Sequence, residues 1–345
     1  MPHFFRRLSP ALLSLLFLLG CTKSAPATEP PSIEDPTDRE IQALSEETDR
    51  LTLWTVYWDT LGKAATLRNA GDKISEVVLF AASYEEDQIT VPDATLRLLE
   101  RLRNTPETDR AKIYLSVVND LVSGGETSQK DTELLYRLLG TEEKAKAHAR
   151  ELVTLTKEQG FDGIEIDFEK IRKDLDLWEN FFCFEKALLE YAEEENLAVR
   201  ILLEPGTPVD KLTFPEGPQY VVMCYNLYGG GTTPGPKADT AFLKELCEKF
   251  APVPNLGFAL ANGGYSWTGL STKASQLRSE EATQLAFAHN CTPERDPDSN
   301  ALYFTYKDGG QAHTVWYADD TTLASWARTL REQIGAQVPI SLWRI

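Results

Sequence analysis

From residue 51 onward, short apolar runs alternate with stretches of helical period. Strand-like runs are predicted at Leu51–Trp58, Glu76–Tyr84, Lys112–Asn119, Phe161–Glu169, Leu197–Glu204, Tyr220–Tyr228, Asn255–Ala261 and Pro339–Arg344. Several are nearly continuous Val, Ile, Leu and Phe, the habit of parallel strands covered by helices. Between the fourth and fifth runs, Leu177, Phe181, Phe184, Leu188 and Tyr191 recur at spacings of four and three, opposite Glu179, Glu190 and Glu194. That pattern predicts an amphipathic helix. Further helices are predicted over 93–103, 129–160 with a break near Gly140, 239–250 and 321–334. The last carries the stripe Leu323, Trp326, Leu330 and Ile334, and Asp320 or Thr321 can cap its start. The first-to-second and fifth-to-sixth strand connections show only short helical signals.

Eight strands alternating with helices predict the α/β class and a (β/α)8 TIM barrel. A doubly wound sheet would show a glycine-rich phosphate loop after its first strand, and Trp58-Asp59-Thr60-Leu61-Gly62 is not one. Residues 265–317 exceed an ordinary strand-to-helix loop. Within them, Tyr303–Lys307, Asp308-Gly309-Gly310 and Gln311–Tyr317 read as a hairpin with a glycine turn. A small insertion on the carboxyl-terminal face, between strand 7 and the last helix, is therefore expected.

The amino-terminal region follows other rules. Arg6 and Arg7 precede an apolar run, Ala11–Leu19, that is too short to span a bilayer. The run ends Leu18-Leu19-Gly20-Cys21 and resembles a bacterial lipoprotein signal. Residues 1–20 would be removed and Cys21 would become the lipidated amino terminus. Residues 21–50 hold four prolines, eight acids and three bases. Such a segment cannot bury enough apolar surface to fold and is expected to form a disordered tether. Residues 51–345 then form an extracytoplasmic barrel attached to the cell membrane or surface only through its lipid.

Composition narrows the partners. The chain of 345 residues is 42% hydrophobic, enough for one sizeable core. Its formal net charge of −18 argues against a broad grip on nucleic acid or anionic lipid. Five cysteines without a C-x-x-C pair exclude a disulfide-dense scaffold and a zinc ribbon. Four histidines, His3, His148, His289 and His313, leave little for a His-rich metal centre. Cys183, Cys224, Cys247 and Cys291 read as structural thiols, since no histidine is evidently paired with them.

The chemistry concentrates in Phe161-Asp162-Gly163-Ile164-Glu165-Ile166-Asp167-Phe168-Glu169. Strand side chains alternate, so Glu165, Asp167 and Glu169 share one face at steps of about 6.6 Å. Ile164, Ile166 and Phe168 take the other. An exposed strand with a polar outer face would show the same alternation. Flanking helices and the fourth place among eight instead turn the acids into the barrel. Buried carboxylates this close cannot all ionise cheaply, which favours a retained proton. On Glu169, nearest the mouth, it would serve a general acid, with Asp167 below as its charge partner. A Mg²⁺-dependent enzyme using Glu165, Asp167 and Glu169 as oxygen ligands is a further alternative, though three acids on one strand are poorly disposed around a single octahedral ion. The expected site holds no metal, and no cofactor is expected.

The same residues resemble the D-G-x-D-x-D-x-E signature of family-18 glycoside hydrolases, the chitinase-like barrels. Met223-Cys224-Tyr225-Asn226 is similar to the family's M-x-Y-D, and Asn255–Trp267 to its seventh strand and following Y-x-W. Val315-Trp316-Tyr317-Ala318-Asp319-Asp320 resembles V-W-Y-E-D, and Trp343 the eighth-strand tryptophan. Three departures stand out. Glu165 replaces an aspartate, Asn226 replaces another, and Ser116-Val117-Val118-Asn119 lacks the glycines of S-x-G-G. The resemblance implies substrate-assisted retaining hydrolysis of β-linked N-acetylglucosamine glycans, in which the sugar's own acetamido oxygen is the nucleophile. It implies Glu169 as acid/base, Asp167 as orienter of the acetamido nitrogen and Tyr225 as donor to the acetamido oxygen. Trp343, Asn226, Glu165, Met223 and Tyr57 would contact substrate; Tyr84, Tyr228, Trp267 and Trp316 are weaker aromatic candidates. The expected enzyme is monomeric. A non-catalytic carbohydrate-binding lipoprotein on the same barrel is the alternative.

Overall fold

The computed structural model describes residues 42–58, 67 and 70–344. The expected signal peptide, Cys21 and most of the 21–50 segment lie outside them.

All eight expected strands form: β1 (Leu51–Val56), β2 (Ile74–Glu85), β3 (Lys112–Ser123), β4 (Gly163–Asp167), β5 (Ala198–Leu203), β6 (Gln219–Met223), β7 (Leu256–Ala261) and β8 (Ile340–Trp343). They pair in parallel in chain order, and β8 returns to β1 with Leu51 opposite Ile340, so the sheet closes into a barrel. Closure leaves no free edge in the ring. Helix-facing positions such as Leu53, Val77, Ile164 and Ile201 are buried under the helices. Trp54, Val78, Tyr114, Leu202, Val221, Met223 and Ala259 pack together inside the ring.

The helix between β4 and β5 runs Leu175–Glu194 and is capped by Asp174, whose carboxylate accepts from Leu177 N at 3.1 Å. The break near Gly140 separates Thr132–Leu139 from Glu142–Glu158, the second capped by Thr141. The last helix, Asp320–Ile334, is capped by Asp319 rather than the expected Asp320 or Thr321; Asp319 Oδ1 accepts from Thr322 N at 2.8 Å. Asp320 is occupied elsewhere, accepting from Ala43 N at 2.8 Å and Leu44 N at 3.1 Å.

That contact corrects the tether boundary. Residues 42–50 are part of the folded unit: Gln42–Glu46 is a short helix, Leu44 is fully buried, and Glu47 pairs with Arg328 and with Arg331. The low apolar content concealed this, because one leucine and one acid–amide cap suffice to fix so short a piece.

The insertion is also larger than expected. Gly263–Thr268, Ala274–Leu277, Glu294–Arg295, Leu302–Asp308 and Gln311–Ala318 form a five-stranded antiparallel sheet with a helix, Ser279–Ala288. The hairpin pairs Asp308 with Gln311 across Gly309-Gly310, as the turn residues predicted. Ala282, Ala286, Phe304, Val315 and Tyr317 give it its own small core. Its first strand follows β7 directly at Gly263-Gly264. A side chain on Gly264 would lie 1.8 Å from Trp316 O, so only glycine lets the two strands meet there. At the mouth, β2 and β3 outrun their predicted ends and fold back on Gln88–Thr90 and Glu126–Ser128, raising that side of the rim.

Candidate active site

Strand β4 carries Glu165 and Asp167, the segment just past its end carries Glu169, and the neighbouring strands set their depth. Gly163 begins the strand between Tyr114 and β5; a Cβ there would lie 2.5 Å from the Tyr114 ring, so the glycine of the signature is a packing requirement. Above it, Glu165, Asp167 and Glu169 are all buried, as the alternation predicted.

Glu165, the lowest, is wholly enclosed. Its carboxylate accepts from Trp54 Nε1 at 2.6 Å and from Arg200 Nε at 3.0 Å. Burial raises its pKa and Arg200 opposes the rise. The Arg200 guanidinium also donates to Glu76 and Gln219, each at 2.7 Å, and to Ser341 at 3.0 Å, so that β5 is joined to β2, β4, β6 and β8 at the barrel centre. Glu165 is thus a layer below the cavity wall, where it holds Trp54 rather than meeting a ligand.

Asp167 sits one step higher and, among the described residues, its Oδ1 is buried without a hydrogen-bond partner. Burial pushes its pKa well up, reinforced by the charges of Glu169 and Glu165. Glu169 is raised by burial too, against the pull of Lys130, whose ammonium bonds its Oε2. Both carboxyls are therefore biased toward keeping a proton, the condition a general acid needs. The backbone of Glu169 is fixed by Asn119: Glu169 N donates to Asn119 Oδ1 at 2.9 Å, and Asn119 Nδ2 donates to Glu169 O at 3.1 Å. The departure at Val118-Asn119 thus places an amide clamp behind the acid.

These groups open onto a cavity of about 310 Å³ at the carboxyl-terminal end of the barrel. Asp167, Glu169, Met223, Tyr225, Asn226 and Trp343 all line it, so six of the eight sequence-predicted catalytic and substrate-contacting residues converge. Tyr225 is half-buried, its phenol pKa pushed well up by burial and then by Asp167. Trp343 forms the floor with Trp54 and Phe80, at ring-centroid separations of 6.3 and 5.0 Å.

Two predicted contacts are elsewhere. Glu165 lies beneath the lining, as described. Tyr57 has the strand parity of Leu51 and Leu53, and packs with them against the helix-facing core. Of the weaker aromatics, Tyr84 is buried against His148, Trp267 donates to Thr232 O at 3.1 Å, and Trp316 stacks on Tyr303. Tyr228 packs beside Gly235. The lining instead recruits Trp54, Phe80, Lys130, Lys237, Tyr265 and Gln276, the last two from the insertion. A larger hollow of about 630 Å³ lies at the opposite end of the barrel, around Glu76, Tyr114 and Gln219. Its buried acid is already neutralised by Arg200 and does not resemble a reaction centre.

A closed eight-stranded parallel barrel, with an acidic pair and aromatic side chains at the carboxyl-terminal mouth, defines a (β/α)8 barrel with its candidate site where such barrels carry theirs. No family model matches the sequence. A curated relative, an uncharacterized glycosylase YvbX of Bacillus subtilis, is 23% identical over 207 residues; the match spans 56% of this chain and 60% of that protein. Among solved structures, a chitinase of Chromobacterium violaceum is similar with a TM-score of 0.69 at 18% identity, covering 86% of this chain and 94% of the other. The spore cortex-lytic enzyme SleL of Bacillus megaterium gives 0.68 at 17% identity, covering 86% and 70%. These likenesses show the shared (β/α)8 fold.

Proposed function

We propose that the protein is a glycoside hydrolase of family-18 type acting on β-linked N-acetylglucosamine glycans by substrate-assisted retaining catalysis. The observation that carries this reading is the convergence of Asp167, Glu169, Tyr225 and Trp343 on one cavity, with Asp167 Oδ1 lacking a hydrogen-bond partner among the described residues. An acetamido N–H is the donor such an acceptor needs. Once engaged, it turns the acetamido oxygen toward the anomeric carbon. Glu169 gives its proton to the departing glycosidic oxygen, and then takes one from the water that opens the oxazolinium. Asp167 stabilises the positive charge that develops on the nitrogen. Tyr225 donates to the acetamido oxygen, and Asn226 is a neutral polar contact beside it. Apolar sugar faces stack on Trp343 while hydroxyls meet the polar rim. The chitinase and the cortex-lytic enzyme among the structural neighbours support a glycosidase.

The test is product analysis by mass spectrometry after incubation with chitooligosaccharides, purified sacculi and N-glycans in parallel. Release of new reducing ends bearing N-acetylglucosamine is the expected result. Binding of N-acetylglucosamine oligomers without any release would favour a carbohydrate-binding protein instead. The proposal includes attachment through lipidated Cys21. Incorporation of labelled fatty acid into the wild type, and none into Cys21→Ser, is the expected outcome.

A further inference from the structure

Lys237 is unused by the mechanism above, yet it lines the same cavity. It stands at the end of the loop that follows β6, closed by Leu227 N donating to Lys237 O at 3.1 Å. There the ends of β7 and β8 meet the insertion. Its ammonium donates to Asn262 O at 2.7 Å and faces the Tyr265 ring, 5.4 Å from the centroid. An ammonium has three donors, and the partners named here engage it through one carbonyl and one ring face. The charge acting on it is a second cation, Arg344, and burial with that repulsion lowers its pKa to about 7. The contrast with the opposite wall is chemical. Lys130 is bonded to Glu169, and its pKa is raised by that carboxylate.

A neutral amphipathic side chain would fill this wall more cheaply, because a buried ammonium away from a carboxylate carries a desolvation cost. That cost is offset when a ligand brings the anion. Resting on the glycosidase reading, we infer that Lys237 is a specificity residue for an N-acetylhexosamine glycan bearing a carboxylate, such as a lactyl ether, rather than for uncharged chitin-type chains. The carboxylate would take the ammonium's remaining donors at the Tyr265 side of the cavity. The reacting bond would stay over Asp167 and Glu169.

The test is calorimetric binding of one N-acetylated oligosaccharide carrying lactyl carboxylates, and of its methyl ester, to the wild-type protein, Lys237→Met and Lys237→Arg. A charge-assisted hydrogen bond predicts about tenfold tighter binding of the acid than of the ester by the wild type. That ratio should fall to about one in Lys237→Met and be largely retained in Lys237→Arg. Equal affinity of the wild type for acid and ester, or binding of neither, overturns the inference. So does an acid preference that persists in Lys237→Met. The wild-type comparison stands even if a variant fails to fold. Because binding is measured without turnover, failure here is distinct from failure of the glycosidase reading, which reducing-end release from chitooligosaccharides tests separately.

Discussion

The Lys130–Glu169 contact sets the pH range over which the site can work. Lys130→Met removes the cation while keeping a chain of similar length. In the wild type that cation lowers the pKa of Glu169 and of Asp167, against burial, which raises both. Its loss therefore moves both groups the same way, upward, however the proton is shared between them. An opposite charge at hydrogen-bond range depresses a carboxylate by about 1–3 units. The Lys130 side chain is 40% exposed, so solvent screening weakens the effect without changing its sign. A general acid must be protonated, so the alkaline limb of kcat/KM should move to higher pH in Lys130→Met. Lys130→Arg should keep it near the wild-type position. The assay is kcat/KM on a chromogenic chitooligosaccharide from acid to alkaline pH. A limb that stays in place in Lys130→Met, or moves to lower pH, would refute the reasoning.

Other outcomes follow from the surrounding shell. Asn119→Ala removes both bonds to the Glu169 backbone, so kcat should fall while far-ultraviolet circular dichroism stays native, with stability reduced by about 1–3 kcal/mol in urea unfolding. Arg200→Met strands Glu165 as a buried charge and leaves Glu76 with Arg50 as its cation; denaturant unfolding should show a loss of about 3–5 kcal/mol, and a loss below 1 kcal/mol would count against the network. Glu185, buried beside Tyr220 on the Leu175–Glu194 helix, has its pKa raised by burial from 4.5 to about 8. Between those values the unfolded chain releases a proton that the folded one keeps, so stability falls as pH rises through that window, by at most roughly 5 kcal/mol. Glu185→Gln should flatten that part of the stability–pH curve, as measured by chemical denaturation at a series of pH values.

The barrel was legible because strand and helix periods alternate cleanly along the chain, and the acid column because a strand has a period of two. Parity also tells against Tyr57, which shares the helix-facing side with Leu51 and Leu53. Arg200 does leave a signal in the sequence: a lone cation amid Val199, Ile201, Leu202 and Leu203 must find its partners inside the barrel. Lys130 left none. It follows a glycine turn at the end of an extended hairpin and meets Glu169, 39 positions away, only because β3 and β4 are neighbours in the sheet. Trp54 likewise meets Glu165 across 111 positions through barrel closure. The reach of the insertion into the cavity depended on a sheet whose strands are individually short and half-exposed, with weak alternation.

The central claim is that Glu169 donates the proton to the leaving sugar. The most direct test is the rate of reducing-end release from an N-acetylglucosamine tetramer by Glu169→Gln beside the wild type, with thermal unfolding recorded on the same samples. A fall of about 10²–10⁴-fold with a native melting transition is predicted. A folded Glu169→Gln that cleaves at the wild-type rate would contradict it.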